Sequence, residues 1–186
     1  MIGTLRSRLG LDSPLKTDDR RLLEGVIIPF FKEAAQTQRI LFVGCDFYTT
    51  HYERLFGEKE YWTLDKDAGR AKYGARRHVI AALAEVDRHF SALDLILVNG
   101  VLGWGLDDPV EAEASLAASV RALRPGGILL LGWNDTPERL PFPLGESQSL
   151  KGLEPYLFPP LGVSQHGTAT ANRHTFSFYR KPASAA

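Results

Sequence analysis

A chain of 186 residues, 44% hydrophobic and 24% charged, has material for one globular core, and its composition excludes a disordered or fibrous chain. Lysine plus arginine (22) cancels aspartate plus glutamate (22), so there is no basic surplus to neutralise phosphates and no nucleic-acid partner is expected. A single cysteine excludes an intramolecular disulfide and a thiolate zinc site and points to a reducing compartment. The opening MIGTLRSRLGLDSP lacks the apolar run of a signal peptide, and no later run reaches the length of a membrane span. The expectation is a cytoplasmic domain, not a membrane partner, that acts through a pocket or a partner.

Taken in chain order, residues 1–38 read as an N-terminal arm and a helix. The first 16 are polar, with Gly10 and Pro14. From Asp18 the pattern is helical, with Leu22, Val26, Phe30 and Ala34 in one row and Leu23, Ile27 and Phe31 in the next. Thr17 is placed to cap it, and Pro29 predicts a kink or break. Residues 39–186 then alternate apolar runs with helical stretches. Strands are predicted at Ile40–Val43, Tyr61–Leu64, His78–Ala82, Leu93–Val98 and Ile128–Leu131. Between them lie a short helix stopped by Gly57, a segment to Tyr73, a helix from Leu83 to Phe90, and one opened by Asp108-Pro109-Val110-Glu111. Val110, Ala114, Ala117, Val120 and Leu123 are expected on the inner face of that last helix. Residues 137–186, rich in proline and glycine, form a C-terminal extension that packs on the domain and ends in an alternating strand around His174–Arg180. Continuous apolar strands alternating with helices predict an α/β fold, a doubly wound, mostly parallel sheet with helices on both faces.

In such a sheet ligands bind beyond the carboxyl ends of the strands, where the strand order reverses. That selects Gly44-Cys45-Asp46, Asp65-Lys66-Asp67, Asn99-Gly100 and Gly132-Trp133-Asn134-Asp135, although any strand end needs a turn and turns favour these residues. Asp65 stands 21 residues after Gly44, the spacing of an acid that accepts both ribose hydroxyls; the plain alternative is a solvated acid capping the next helix. A nicotinamide fingerprint needs glycine at position 46 and glycine or alanine at 49, where the chain has Asp46 and Thr49. Asp46 repels a pyrophosphate and suits a cofactor that presents a cation or an amino group.

The order Val43-Gly44-Cys45, Leu64-Asp65, Asp94 through Leu102 and Leu123-Arg124-Pro125-Gly126-Gly127-Ile128-Leu129 resembles class I S-adenosylmethionine-dependent methyltransferases over roughly residues 38 to 133. The segments NGVLGWGL, LGWND and NRHTFSFY look like a smaller bacterial branch of that family. The resemblance implies a Rossmann-like methyltransferase fold with an antiparallel C-terminal strand, and S-adenosylmethionine as cofactor with S-adenosylhomocysteine as product. It places Gly44, Cys45 and Asp46 by the methionine portion, Asp65 on the ribose and Lys66 by the adenine. Ala81 and Ala82 flank the adenine, and Asn99 and Gly100 line the floor near the sulfonium. Two positions depart from the family pattern: Asp46 replaces the second glycine of the first loop, and Ala81 replaces the acid that often holds the adenine amino group.

A methyltransferase acting on a small-molecule acceptor, such as a sugar or cell-surface precursor, is therefore expected. The alternative is a non-catalytic methyltransferase-like binding or partner-interaction module with a degenerate cofactor site. Candidate bases are Asp135 and His174, with Asp107 a third, and each also reads as a turn, cap or structural residue. Trp104, Trp133 and Asn134 are candidate lining of the acceptor pocket. Cys45 reads as a buried small hydrophobe, and the five histidines show no metal-ligand spacing, so no metal is expected.

Overall fold

A computed structural model describes residues 17–183; the arm expected over residues 1–16 lies outside them. The sheet has eight strands: β1 (Arg39–Val43), β2 (Glu60–Asp65), β3 (His78–Ile80), β4 (Leu93–Asn99), β5 (Leu123–Asn134), β6 (Glu154–Pro155), β7 (Gln165–Gly167) and β8 (His174–Arg180). Their order is β3-β2-β1-β4-β5-β8-β6, with β7 also paired to β8. The first five are parallel, with Leu41 opposite both Trp62 and Ile96, and Ile96 opposite Leu129. β8 runs antiparallel beside β5, Leu130 opposite Phe178. A doubly wound, mostly parallel sheet is what the alternating apolar runs predict.

The helices cover both faces. The first helical stretch, α1, joins Asp18–Leu22, a π-helical turn over Leu23–Ile27, and Ile28–Glu33. The break expected at Pro29 takes this form: Pro29 has no N–H for the carbonyl four residues back, and the preceding turn widens until Ile28 N–H bonds Leu23 O. Thr17 occupies the N-cap position without a side-chain bond. Helix α2 is Tyr52–Phe56, followed by Gly57 at φ 64°. Residues Ala68–Tyr73 and Leu83–Glu85 form 3₁₀ turns, the second leading into α3 (Val86–His89). Helix α4 (Pro109–Ala122) is capped by Asp108, whose carboxylate accepts from Val110 N and Glu111 N. A 3₁₀ turn at Leu144–Glu146 precedes α5 (Gln148–Lys151). Among the described residues no helix is long and apolar enough to cross a membrane.

The period-two alternation of the strands feeds two cores. Ile40, Phe42, Leu95, Leu97, Ile128 and Leu130 face α1 and α2, while Leu41, Val43, Ile96, Val98, Leu129 and Leu131 face α3 and α4. The C-terminal extension completes the first of these: the Phe158 ring stacks on Phe178 at 4.5 Å and meets Phe30 edge-on at 5.0 Å. The inner face of α4 differs from expectation. It is Ala112, Ser115, Leu116, Ser119 and Ala122, whereas Val110 is 76% exposed and Leu123 already belongs to β5. Small side chains let the helix sit close to the sheet, and Ser119 returns its hydroxyl to Ser115 O (2.8 Å), so that hydroxyl is paired within the buried stripe.

One acid interrupts the apolar run of β4. Asp94 accepts from Gln38 N (2.8 Å) and Arg39 N (2.7 Å) and is ion-paired with Arg124, joining the starts of β1, β4 and β5. Burial works against the charged form, but Arg124 and the two N–H groups together hold the carboxyl below its ordinary range. Its unfolded-state pKa is about 3.9, so the unfolded chain protonates first; the stabilisation is complete above about pH 5 and is lost as pH falls toward the lower folded pKa. Asp94→Ala should cost about 3 kcal/mol by leaving Arg124 and both N–H groups without their acceptor, read as a lower urea midpoint at pH 7. The gap between variant and native protein should shrink below about pH 4.

Candidate active site

The strand order reverses between β1 and β4, and there the crevice opens. A cavity of about 700 Å³ lies at the carboxyl ends of β1, β2 and β4, in the size range of cofactor sites. Gly44, Cys45, Asp46, Asp65, Lys66, Ala81, Asn99, Gly100, Trp104, Asn134 and His174 all line it. Gly44 makes the first turn possible. Its φ is +89°, and a Cβ there would stand 2.7 Å from Val101 Cγ2 and 3.3 Å from Asn99 O, so only glycine lets the loop after β1 cross the loop after β4.

Asp65 organises the end of the cavity beneath β1 and β2. It is 9% exposed and is not a solvated helix cap; Asp67 does the capping, through Gly69 N. One Asp65 carboxylate oxygen accepts from Cys45 N (2.8 Å) and the other from Asp67 N (2.9 Å). Each oxygen retains a lone pair, so the carboxylate still has two acceptor sites. Arg70 clamps the same loop from beyond β2, donating to Cys45 O (2.8 Å) and Asp46 (2.9 Å). Lys66 donates to Gly105 O (2.7 Å) and ties the β2 loop to the mouth. The Cys45 thiol is buried, and burial pushes its pKa up to about 12, which removes thiolate chemistry.

The opposite end is built from β4, β5 and the C-terminal extension. His174 is buried with Nε2 3.2 Å from Asn99 Oδ1. Gly132 stands between these two side chains, and a Cβ there would overlap Asn99 Oδ1. Asn134 receives Trp104 Nε1–H (3.0 Å) and donates to Asn172 O (2.9 Å). Desolvation, opposed by Asp19 and assisted by Arg20, lowers the His174 pKa to about 4, so the imidazole is neutral at pH 7.

Not every anticipated residue reaches the cavity. Successive side chains on a strand point to opposite faces. With Asn134 in the cavity, Trp133 and Asp135 turn to a separate cavity of about 310 Å³. Trp133 bonds Ser177 (3.1 Å) there, and Asp135 pairs with Arg173 (2.8 Å). Asp135 is thus away from any reacting group in the main cavity, as is Asp107, an exposed acid 3.4 Å from Gly105 N. Ala82 is likewise absent from the lining. Ala81 is bonded through its N–H to Asp65 O (3.2 Å) and points inward, and the next inward side chain is Leu83.

Thr17, Asp19, Arg20, Tyr48, Arg70, Thr170 and Asn172 were not anticipated, and all line the cavity. Arg20 is the most consequential. It is 6% exposed, donates to the Tyr52 hydroxyl, and lies 4.1 Å over the Tyr48 ring. Its spacing to Leu23, Ile27 and Phe31 sets it on the buried stripe of α1, a signal present in the sequence. Tyr52 passes the network on to Glu24 (3.1 Å), which also meets His51 (3.5 Å).

A histidine buried in its neutral form makes folding pH-dependent. Below about 6.5 the unfolded chain binds a proton that the folded chain refuses until its own lower pKa, so stability falls as the medium is acidified. For a folded value of about 4, the loss attributable to His174 is about 3 kcal/mol by pH 4. Urea unfolding of the protein and of His174→Gln at pH 7 and pH 4.5 checks this: the native protein should lose more stability over that interval than the variant.

No family model matches the sequence, and no curated protein matches it. Solved structures do. N-methyltransferase NodS from Bradyrhizobium japonicum, in complex with S-adenosylhomocysteine, superposes with a TM-score of 0.66 at 18% identity, covering 97% of this chain and 99% of that one. A TehB-like S-adenosylmethionine-dependent methyltransferase from Corynebacterium glutamicum gives 0.60 at 18% identity, over 95% and 92%. The 16S rRNA N2 G1207 methyltransferase of T. thermophilus gives 0.53 at 18% identity, over 84% of this chain and 38% of that one. The strand order with its antiparallel β8, the switch-point cavity and these superpositions agree: the chain has the fold of the class I S-adenosylmethionine-dependent methyltransferases.

Proposed function

We propose that the protein is an S-adenosylmethionine-dependent methyltransferase acting on a small-molecule acceptor, a sugar or a cell-surface precursor carrying one, in the cytoplasm. The observation that carries this reading is the buried Asp65 carboxylate, placed in the switch-point cavity with one acceptor site free on each oxygen. A ribose presents two adjacent hydroxyls, and charge-assisted hydrogen bonds to them are worth about 1.5–3 kcal/mol each. The rest of the cavity fits the other parts of that cofactor. Ala81, Leu64 and Leu83 form an apolar slot for a flat base, with Lys66 beside it. Arg20 offers a cation to the carboxylate of an amino-acid zwitterion, with the Gly44-Cys45-Asp46 loop lining the same cavity.

When bound, the cofactor supplies an electrophilic methyl carbon on a cationic sulfur, transferred by in-line displacement to leave S-adenosylhomocysteine. The protein's task in such a reaction is alignment and exclusion of water. Asn99 and His174 stand at the carboxyl ends of β4 and the start of β8, across the cavity from Asp65. In this reading His174 is the catalytic-site group that holds the acceptor. Being neutral at pH 7, with a pKa of about 4, it orients the nucleophile by hydrogen bonding, and the proton that the acceptor loses as the bond to the methyl carbon forms passes to solvent. The zero net charge supports a small acceptor over a polyanion.

Thermal unfolding with S-adenosylmethionine, S-adenosylhomocysteine and NAD tests the cofactor reading. A ligand at 100 times its Kd adds about 2.7 kcal/mol, or roughly 5–10 °C for a chain of this size. That shift is expected with either sulfur compound and not with NAD. Asp65→Asn keeps the shape of the side chain and should weaken binding by about tenfold or more. No shift with either sulfur compound at millimolar concentration would refute the reading and leave a binding module without this cofactor.

A further inference from the structure

Trp104 is 51% exposed, an unusual position for an indole, yet it is fixed on several sides. Its ring nitrogen donates to Asn134 (3.0 Å), and the Arg139 guanidinium covers one face at 3.7 Å from the ring centre. Its own N–H bonds Val101 O (3.0 Å), and Lys66 holds the next residue through Gly105 O. An exposed tryptophan that merely tolerated solvent would need none of this. With one face taken by Arg139, the free surface of the ring belongs to the cavity that Trp104 lines.

Around that surface the lining changes character. Asn99, Asn134, Asn172 and Thr170, with His174, carry groups that both donate and accept hydrogen bonds. Asn134 is engaged on both amide atoms by Trp104 and Asn172, so this wall and the indole form one assembled unit. Asp19 on α1 and Glu111 on α4 line the same cavity.

We infer that Trp104 is the acceptor-binding platform and that the acceptor presents a saccharide ring, whose C–H face lies on the indole while its hydroxyls meet the amide and hydroxyl wall. This deepens, and rests on, the methyltransferase reading of the same cavity. A sugar ring combines one apolar face with a rim of groups that donate and accept at once, which is the complement of this lining. A phenolic acceptor would cover the indole equally well. It would offer nothing along its edge to the Asn99 amino group or the Asn172 side-chain amide, the wall groups not already taken up by Trp104, His174 and Asn134, and polar groups are costly to cover unpaired. Arg139 acts as a positioning residue: it holds the ring's outer face and keeps the inner face toward the cavity.

Full-length protein saturated with S-adenosylhomocysteine is titrated with D-glucose, N-acetyl-D-glucosamine and cellobiose, and with p-cresol as the aromatic control, followed by ligand-observed saturation-transfer NMR. At least one saccharide should bind saturably, and more tightly than p-cresol. Trp104→Ala should weaken that binding by about tenfold or more, and Trp104→Phe by less. The S-adenosylhomocysteine thermal shift should persist in both variants, showing that fold and cofactor site are intact. Arg139→Ala should weaken the saccharide without touching the thermal shift. The inference is overturned if the cofactor product binds but no saccharide does, if p-cresol binds preferentially, or if Trp104→Ala leaves saccharide affinity unchanged. Failure of the native protein to bind S-adenosylhomocysteine refutes the cofactor reading instead.

Discussion

The site depends on the carboxylate of Asp65. A buried charge is tolerated only when hydrogen bonds replace its lost hydration, and here the replacement comes from the backbone of the loops it organises. Cys45 N and Asp67 N converge on it, so the end of β2 and the turn after β1 are fixed by one group. Arg70 then closes the same loop from outside through Cys45 O and Asp46. Remove the carboxylate and two loops lose their common anchor, while the cavity loses its best acceptor for a diol.

That economy explains how a first loop with one glycine can still form a cofactor cradle. Asp46 stands where a second glycine is usual in the family it resembles, and an unpaired acid there would impose a field on anything bound. In the structure it is paired with Arg70 at 2.9 Å and accepts from Phe47 N at 2.7 Å. Its charge is therefore largely spent on the protein itself. Ala81 stands where the family it resembles often has an acid, and with Leu64 and Leu83 it gives the cavity an apolar stretch of lining.

The sheet was legible in the sequence because its central parallel strands, β1 and β4, are buried on both faces and read as apolar runs, whereas the edge strand β3, with Ile80 54% exposed, gives a weaker signal. Leu93–Asn99 is the clearest, and its single acid, Asp94, holds three strand starts together. The cofactor end was legible for a related reason: the residues after β1, β2 and β4 reach the crevice by chain position alone. The acceptor end was not. Whether Asn134 or its neighbours Trp133 and Asp135 face the cavity depends on the register of β5, and a one-residue difference exchanges the faces. Thr170 and Asn172 come from a turn whose path is set by pairing of β7 with β8, which no local pattern announces. The α4 face is poorly marked in the sequence because alanine and serine carry its buried stripe and alanines also stand outside it, at Ala114 and Ala117, leaving little hydrophobic contrast between the faces. Arg20 was within reach, at helical spacing from Leu23 and Ile27, but a charge on a buried stripe is easily taken for the solvent side.

The two ends of the cavity therefore differ in how they are built. The cofactor end uses consecutive residues at strand termini, fixed by the sheet and by Asp65. The end proposed for the acceptor is assembled from distant segments: α1 brings Asp19, the loop after β4 brings Trp104, and the extension brings Asn172 and His174. Each of those segments is anchored separately, α1 through Arg20 and Tyr52, Trp104 through Asn134 and Arg139, and His174 through Asn99. Recognition at that end can change by substitution in one segment without disturbing the strands that hold the cofactor loops, as expected of function carried on a rigid scaffold. The neutral imidazole of His174 ties the two ends together. It stands on β8, the strand that completes the sheet, and contacts Asn99, the last residue of the strand that opens the crevice.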